Sequence, residues 1–358
     1  MAARKAIYLP PSGEFEIITQ TEVYTPTGSQ SLVRVKYSAI NPADIRHWYL
    51  GWNSFVAGYE WIGTVESTGP TSPFKPGEVL FGLAKPGHQR PISAGAHQDY
   101  ILAETWMTHR LPDPELDWTQ AVSWLCGLYT AIDALFNCSG FAFPPLKGQG
   151  VDGDDPTGRA ILIWGGSSTV GLTAIQLARA AGFAPIFTTA SAKNHATLLD
   201  LGATKCFDYR SPTVVEDIRA AVSQSGKELS VIFDAVATGT GFAEPPSAKP
   251  LDFNKSSPAL ARQCLTDGAK YFRLSAVIPI EKDPRWKFVL AIREEKDNPE
   301  WHKRLPAVVE WVLSNYKATA FRIPNVKVIS GAEEGVQAIR DVFAGKVSLQ
   351  KVVIQHPL

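Results

Sequence analysis

"ILIWGGSSTVGLTAIQLARAAG", residues 161–182, is the stretch on which the fold turns. Ala160 to Trp164 form a short apolar run and Gly165 and Gly166 break it. From Val170 the apolar residues recur at helical spacing, with Val170, Ala174, Leu177 and Ala178 on one face. The pattern predicts a strand, a tight turn and a helix. A helix N-terminus leaves backbone N–H groups without partners and carries the positive end of the helix dipole, so a phosphate is its natural guest. Ser167, Ser168 and Thr169 add hydroxyls, and a pyrophosphate is expected over Ser167, Ser168, Thr169 and Val170. The usual G-x-G-x-x-G is not matched, because Ser168 stands at the middle glycine. A tight strand-to-helix connection without a ligand gives the same pattern, so the surrounding sequence must decide.

Outward from this turn the chain alternates. Strands are expected at 160–164, 184–189, 205–208 and 229–234, with helices at 170–181, 193–201 and 213–224 between them and a further strand near "RLSAVIPI". Such alternation predicts an α/β domain with a doubly wound parallel sheet. Residues 5 to about 110 instead show short β-type runs separated by Pro- and Gly-rich turns, the pattern of a mainly β, partly barrel-like domain. Residues 119–137 have helical periodicity. From about 300 the chain returns through helix and loop to a terminal strand, "QKVVIQ". Three segments follow: a mainly β domain over 1–126, an α/β domain over 127–295, and a return to the first domain over 296–358.

The composition narrows the function. The chain has 358 residues, 45% apolar and 20% charged, with 35 acidic and 35 basic side chains, as in a soluble globular protein of two domains. Zero net charge gives no electrostatic surface for nucleic acid or an anionic membrane. The N-terminus turns to proline and glycine too early for a signal peptide, and no later run is expected to span a membrane, so a cytoplasmic enzyme is expected. Cys126, Cys138, Cys206 and Cys264 lack the paired spacing of a zinc or redox site and read as buried thiols. Trp48, Trp52 and Trp61 read as core and interface packing.

The second strand ends in "IFTTASAKNH", without the carboxylate that would bind the ribose hydroxyls of NAD. Ser191, Lys193 and Asn194 stand there instead, and Tyr209 follows the third strand. Hydroxyls and an ammonium suit a 2′-phosphate, which favours NADPH. A solvated lysine and an ordinary helix-capping serine are the alternative.

"AINPADIR", "GYEWIGTV", "PGEVLFG", "GAHQDYILAE", "LYTAIDAL", "GGSSTVGLTAIQLAR", "LGATKCFDYR" and "AGKVSLQKVVI" follow one another in the order and spacing of a known group of enzymes. Over nearly its whole length the chain resembles the medium-chain dehydrogenase/reductase superfamily. It is similar above all to the quinone-oxidoreductase and enoyl-reductase branch that works without zinc, and to the fungal trans-acting enoyl reductases of polyketide biosynthesis. The resemblance implies a Rossmann-type nucleotide-binding domain and a GroES-like catalytic domain. Where zinc alcohol dehydrogenases carry a Gly-His-Glu segment, this chain has Gly58, Tyr59 and Glu60. "AINPAD" has no cysteine where they place a ligand, and their four-cysteine lobe is missing. No metal is expected.

Without a Lewis acid the chemistry that remains is hydride addition to an activated C=C bond of an enone or enoyl thioester, followed by protonation of the α-carbon. The resemblance assigns Arg46 to positioning and charge at the nicotinamide ribose and Thr130 to the ribose or the enolate oxygen; a surface arginine and a helix-bonded threonine are the alternatives. It places Ala43, Asp44 and Ile45 beside the nicotinamide half, with Leu274, Ser275, Val347 and Ser348 closing over it. Ser275 replaces an asparagine, and Ala291 and Arg293 replace an aromatic-and-glycine pattern, both where substrate is expected. The expected partner is a small-molecule or carrier-bound acyl substrate, possibly supplied by a polyketide synthase. A free quinone or enone reductase, or a redox-neutral binder on the same fold, would share most of these residues.

Overall fold

The computed structural model describes residues 4–87, 90–245, 250–269 and 271–358. The chain divides into two compact units, one of residues 1–126 with 325–358 and one of residues 127–324.

In the second unit six parallel strands lie in the order Lys205–Phe207, Ile186–Thr189, Ala160–Trp164, Leu229–Asp234, Arg273–Ala276 and Trp286–Phe288. The third to sixth of these run outward in sequence order, and the first three run the other way. The order therefore reverses between Ala160–Trp164 and Leu229–Asp234, the point where such sheets bind ligands. Ala160–Trp164 is buried along its whole length, as a central strand covered on both faces must be. Helices Thr169–Ala181, His195–Leu201 and Val214–Ser225 make the connections. Around Leu162, Ile232 and Leu274 one core includes Trp164, Phe187, Ile218 and Trp286.

The first unit is mainly β. Its larger sheet runs Val326–Ser330, Lys351–Gln355, Ser31–Ala39, Glu60–Thr68, Val79–Leu83 and Thr108–Arg110. Ser31–Ala39 pairs with Tyr100–Ala103 at its start and with Lys351–Gln355 at its end, so two distant segments share one edge. A smaller sheet joins Glu16–Gln20, Arg4–Leu9 and Phe55–Val56. Trp61 is buried in the sheet core with Val33, Val65 and Leu80.

Two expectations change. The return to the first unit begins at Asn325, not at 296, because helix Pro299–Thr319 belongs to the second unit. Asn137 donates to the Trp301 carbonyl, and Arg304 donates to the carbonyls of Phe136 and Asp152. Trp118–Cys138 also proves long and apolar enough to cross a membrane by length and composition. It is 94% buried and is broken into Trp118–Ala121, Leu125–Ile132 and a π-helical turn, Asp133–Cys138, as a core segment is.

The Gly165–Gly166 turn is built by backbone contact. A Cβ on Gly166 would lie 2.1 Å from Thr188 Oγ1, and one on Gly171 would lie 2.3 Å from the Gly165 carbonyl oxygen. Thr188 is fully buried and donates to the Ile163 carbonyl, so it has nowhere to go. Gly166→Ala is expected to cost about 1–3 kcal/mol of stability through overpacking. Denaturant unfolding measures this, and a variant as stable as the parent contradicts the reading.

Candidate active site

At the strand-order reversal, the helix starting at Thr169 is capped by Ser168. The serine hydroxyl accepts from the Gly171 N–H at 3.0 Å and donates to the Gly165 carbonyl, while its own N–H goes to the same carbonyl. Ser168 therefore has neither group to spare for a phosphate, contrary to the expectation: as the helix N-cap it is spent on the turn itself. The helix offers the N–H groups of Thr169 and Val170, which have no intrahelical partner, together with its dipole. Ser167 lies at the tip of the same turn. The three glycines that close packing demands, Gly165, Gly166 and Gly171, are all retained. The residues thus fit a dinucleotide.

Facing this turn is the loop after Leu229–Asp234. Val236 fills the space where a Gly165 side chain would stand. Asp234 shapes that loop: it is fully buried, accepts from the N–H groups of Val236 and Ala237, and accepts from the Ser257 hydroxyl at 2.6 Å. Burial outweighs these bonds and pushes its pKa up to about 6.

Ser191, Lys193 and Tyr209 follow the carboxyl ends of neighbouring strands, with Lys193 and Tyr209 exposed. The Ala192 backbone bonds to Asp208 and ties the two loops together. Asp208 would repel a phosphate, but Arg210 grips it through both oxygens, and those bonds hold its pKa down to about 2. Sequence reasoning missed this pair. Asn194, between Lys193 and Tyr209 in sequence, is buried. Leu274 is buried in the core of the sheet. Ser275 is fully buried on the same strand, and its hydroxyl has no partner among the described residues.

Thr130 is buried on helix Leu125–Ile132, just ahead of the π-helical turn. There the buried Asp133 takes both arms of the Arg293 guanidinium, at 2.9 and 2.6 Å, and the Leu290 N–H. Arg293 was expected among substrate-facing positions. It is instead an internal clamp, with its guanidinium also over the Trp301 ring.

In the first unit Ala43–Arg46 form one helical turn, followed by the 3-10 turn His47–Leu50. Ile45 and Val347 pack on one cluster with Ile40, Val352 and Ile354, and Ser348 follows Val347 in the loop. Asp44 is fully buried and accepts from the Asn41 N–H at 2.8 Å and from His97 at 3.3 Å, so its carboxylate holds the turn from within. Next to it, His47 is hydrogen-bonded to the Tyr59 hydroxyl. Burial, then Arg90, lowers the His47 pKa to about 4, so the ring is neutral; Arg46 adds to the shift. Burial raises the Tyr59 phenol. Glu60 accepts from Lys351, Asn41 and the Cys126 N–H. Glu60, His97 and Lys351 stood in segments that carried the resemblance, but their contacts with one another and with His47 were not legible, because the partners lie far away in sequence.

Residues 27–113 match the model of the alcohol dehydrogenase GroES-like domain, and residues 169–246 match that of the zinc-binding dehydrogenases. A dehydrogenase of Emericella nidulans, orsE, is 31% identical over 253 residues, 66% of this chain and 72% of the relative. The chain belongs to the medium-chain dehydrogenase/reductase superfamily. Another superfamily member, the trans-enoyl reductase himH of Aspergillus japonicus, is 28% identical over 330 residues, 90% of this chain and 89% of that one. Among solved structures, a mycobacterial protein complexed with NADPH superposes with a TM-score of 0.68 at 18% identity, covering 99% of this chain and all of the other. The Rossmann-type and GroES-like halves expected of the superfamily are thus both present.

Asp234 gives this superfamily member a measurable pH dependence. Its folded pKa lies above the unfolded value, so the folded state holds the proton more tightly. Stability is then lost as pH rises from about 4 through about 6. A shift of two units corresponds to about 3 kcal/mol. Asp234→Asn, which keeps the shape without the charge, is expected to remove that decline relative to the parent in denaturant titrations from pH 4 to 7. Parallel curves contradict the assignment.

Proposed function

We propose that the protein is an NADPH-dependent reductase of an activated C=C bond, an enone or enoyl thioester, that works without zinc. The observation that carries the cofactor half is the strand-order reversal, where Gly165, Gly166 and Gly171 keep the turn tight and the N–H groups of Thr169 and Val170 have no intrahelical partner. Lys193, Ser191 and Tyr209 beside the ends of the neighbouring strands favour a 2′-phosphate over a bare ribose. When bound, the nicotinamide supplies a hydride.

Donor chemistry supports independence from zinc. A phenol raised by burial, as in Tyr59, stays protonated and is held by His47. The Cys126 thiol is pushed up to about 12 by burial and by the charge of Glu60, and Glu60 itself is engaged by Lys351. Deprotonated ligands are what zinc requires. Relatives named as trans-enoyl reductases support the C=C half. In this reading Arg46 supplies positive charge at the nicotinamide ribose, and Thr130 binds the ribose or the enolate oxygen. The substrate is a small or carrier-bound acyl compound, a polyketide synthase is its source, and the setting is cytoplasmic.

NADPH oxidation followed with a short enoyl thioester, with a simple quinone, and with neither tests the reading. Turnover with the thioester is expected. Turnover with the quinone alone favours a free quinone reductase, and none with either overturns the proposal. Lys193→Ala is expected to weaken NADPH binding about tenfold, roughly 1.4 kcal/mol, and to leave NADH binding unchanged in calorimetric titration. An equal effect on both cofactors contradicts the assigned role of Lys193.

A further inference from the structure

Five buried side chains of the first unit form one unbroken hydrogen-bonded line. Asp99 Oδ1 lies 3.1 Å from His356 Nδ1, and His356 Nε2 lies 2.8 Å from Ser38 Oγ. Ser38 Oγ lies 2.9 Å from His97 Nδ1, and His97 Nε2 lies 3.3 Å from Asp44 Oδ2. All five are less than a tenth exposed. The outer end is accessible, because Asp99 and His356 line a cavity of about 860 Å³ together with Arg4, Lys36 and Tyr37. The inner end is Asp44, whose other oxygen, Oδ1, accepts no hydrogen bond from any described residue. Gly58 makes room for the line: a Cβ there would lie 2.7 Å from the His97 ring.

The protons in this line can be counted. Four hydrogen bonds need four protons. Two ionised carboxylates bring none, two neutral imidazoles bring one each, and the serine brings one, so three are present. Without a fourth, two acceptors would face each other in a dry interior, each paying the cost of an unmade bond. Asp99 accepts from the Leu358 N–H as well as from His356, so both of these bonds have their hydrogen on the partner. Burial, reinforced by the charges of His97 and Lys36, lowers the pKa of His356 and keeps that ring neutral. Its Nδ1–H then donates to Asp99, the Ser38 hydroxyl donates to His356 Nε2, and His97 Nδ1–H donates to Ser38. The extra proton is left between His97 Nε2 and Asp44. Around Asp44 the further titratable neighbours are Arg90, His47, Tyr59 and Cys126.

We propose that Asp99, His356, Ser38, His97 and Asp44 form a proton relay that stores one proton at Asp44 and refills it from the cavity. The proposal rests on the reductase reading. Hydride brings an electron pair to the β-carbon, the π electrons pass to the α-carbon, and that carbon takes a proton. The relay hands that proton on from the turn Ala43–Arg46; Asp99 then takes a proton from water, both rings exchange tautomers as the Ser38 hydroxyl turns toward His97, and a hop of one proton along each of the four bonds restores the starting arrangement. No electron moves along the line and every group in it ends as it began.

Two variants of the full-length protein separate storage from transfer. Ser38→Ala cuts the line into two pairs that need no fourth proton. His356→Gln keeps both static bonds, donating to Asp99 and accepting from Ser38, but cannot pass a proton. Between about pH 7 and 9, where unfolded histidine is neutral and unfolded aspartate ionised, the parent is expected to lose stability with a slope of one proton relative to Ser38→Ala. The His356→Gln variant keeps that slope. With NADPH and an enoyl thioester, both variants are expected to lose at least about tenfold in kcat, with KM unchanged and a larger solvent deuterium isotope effect. Absence of the one-proton difference overturns the relay whatever the turnover. His356→Gln turning over like the parent, with the same isotope effect, also overturns it, and this variant carries the transfer test if Ser38→Ala does not fold. A parent that reduces no activated alkene overturns the reductase reading and the relay's use, while the slope still reports the stored proton separately.

Discussion

A buried ammonium organises the first unit. Lys351 is 2% exposed, and its Nζ reaches Glu60 Oε2 at 2.5 Å and Asn41 Oδ1 at 2.7 Å. Asn41 in turn donates to Glu60 and, through its backbone, to Asp44. One charge pair therefore joins the last strand, the central strand Glu60–Thr68 and the turn that carries Ala43–Arg46. Such a pair adds little net stability over apolar packing, yet removing one partner alone costs about 3–5 kcal/mol because the other charge is stranded. What it provides is register. Gly58 and Tyr59, immediately before Glu60, are placed by it against His97 and His47.

The second unit solves its positioning problem differently, by close approach. Gly165, Gly166 and Gly171 bring strand, turn and helix within distances that no side chain tolerates, and Ser168 closes the turn as a cap. The glycine-poor appearance of the motif is therefore superficial. What changed is one residue whose hydroxyl replaces a ligand contact with a helix cap. The same economy governs Arg293, where a charged residue in an apparently variable stretch fixes the π-helical turn through Asp133.

These cases show what was legible in the sequence. The alternation of strands and helices after residue 160 follows from local periodicity, and the six-stranded parallel sheet matches it closely. Gly165, Gly166 and Gly171 were visible because a turn of this kind requires small residues at fixed offsets. The return point at Asn325 was not, since helix Pro299–Thr319 joins the second unit through side-chain bonds to carbonyls far away in sequence. The burial of Asn194 and Leu274 was not legible either, because only packing decides it. The line from Asp99 to Asp44 was the least legible. Its members are scattered from residue 38 to residue 356, and neither histidine has a local pattern that marks it as part of a network.

The central claim is that this chain joins a hydride from a nicotinamide to a proton from the protein side across an activated double bond. Mass spectrometry and NMR of the product made from an enoyl thioester with NADPH deuterated at C4 on its transferable face, in ordinary water, test it most directly. One deuterium at the β-carbon and none at the α-carbon is the predicted result, with the labels reversed when unlabelled NADPH is used in heavy water. Reduced product carrying no cofactor-derived deuterium at the β-carbon, or no reduced product at all, would contradict the account.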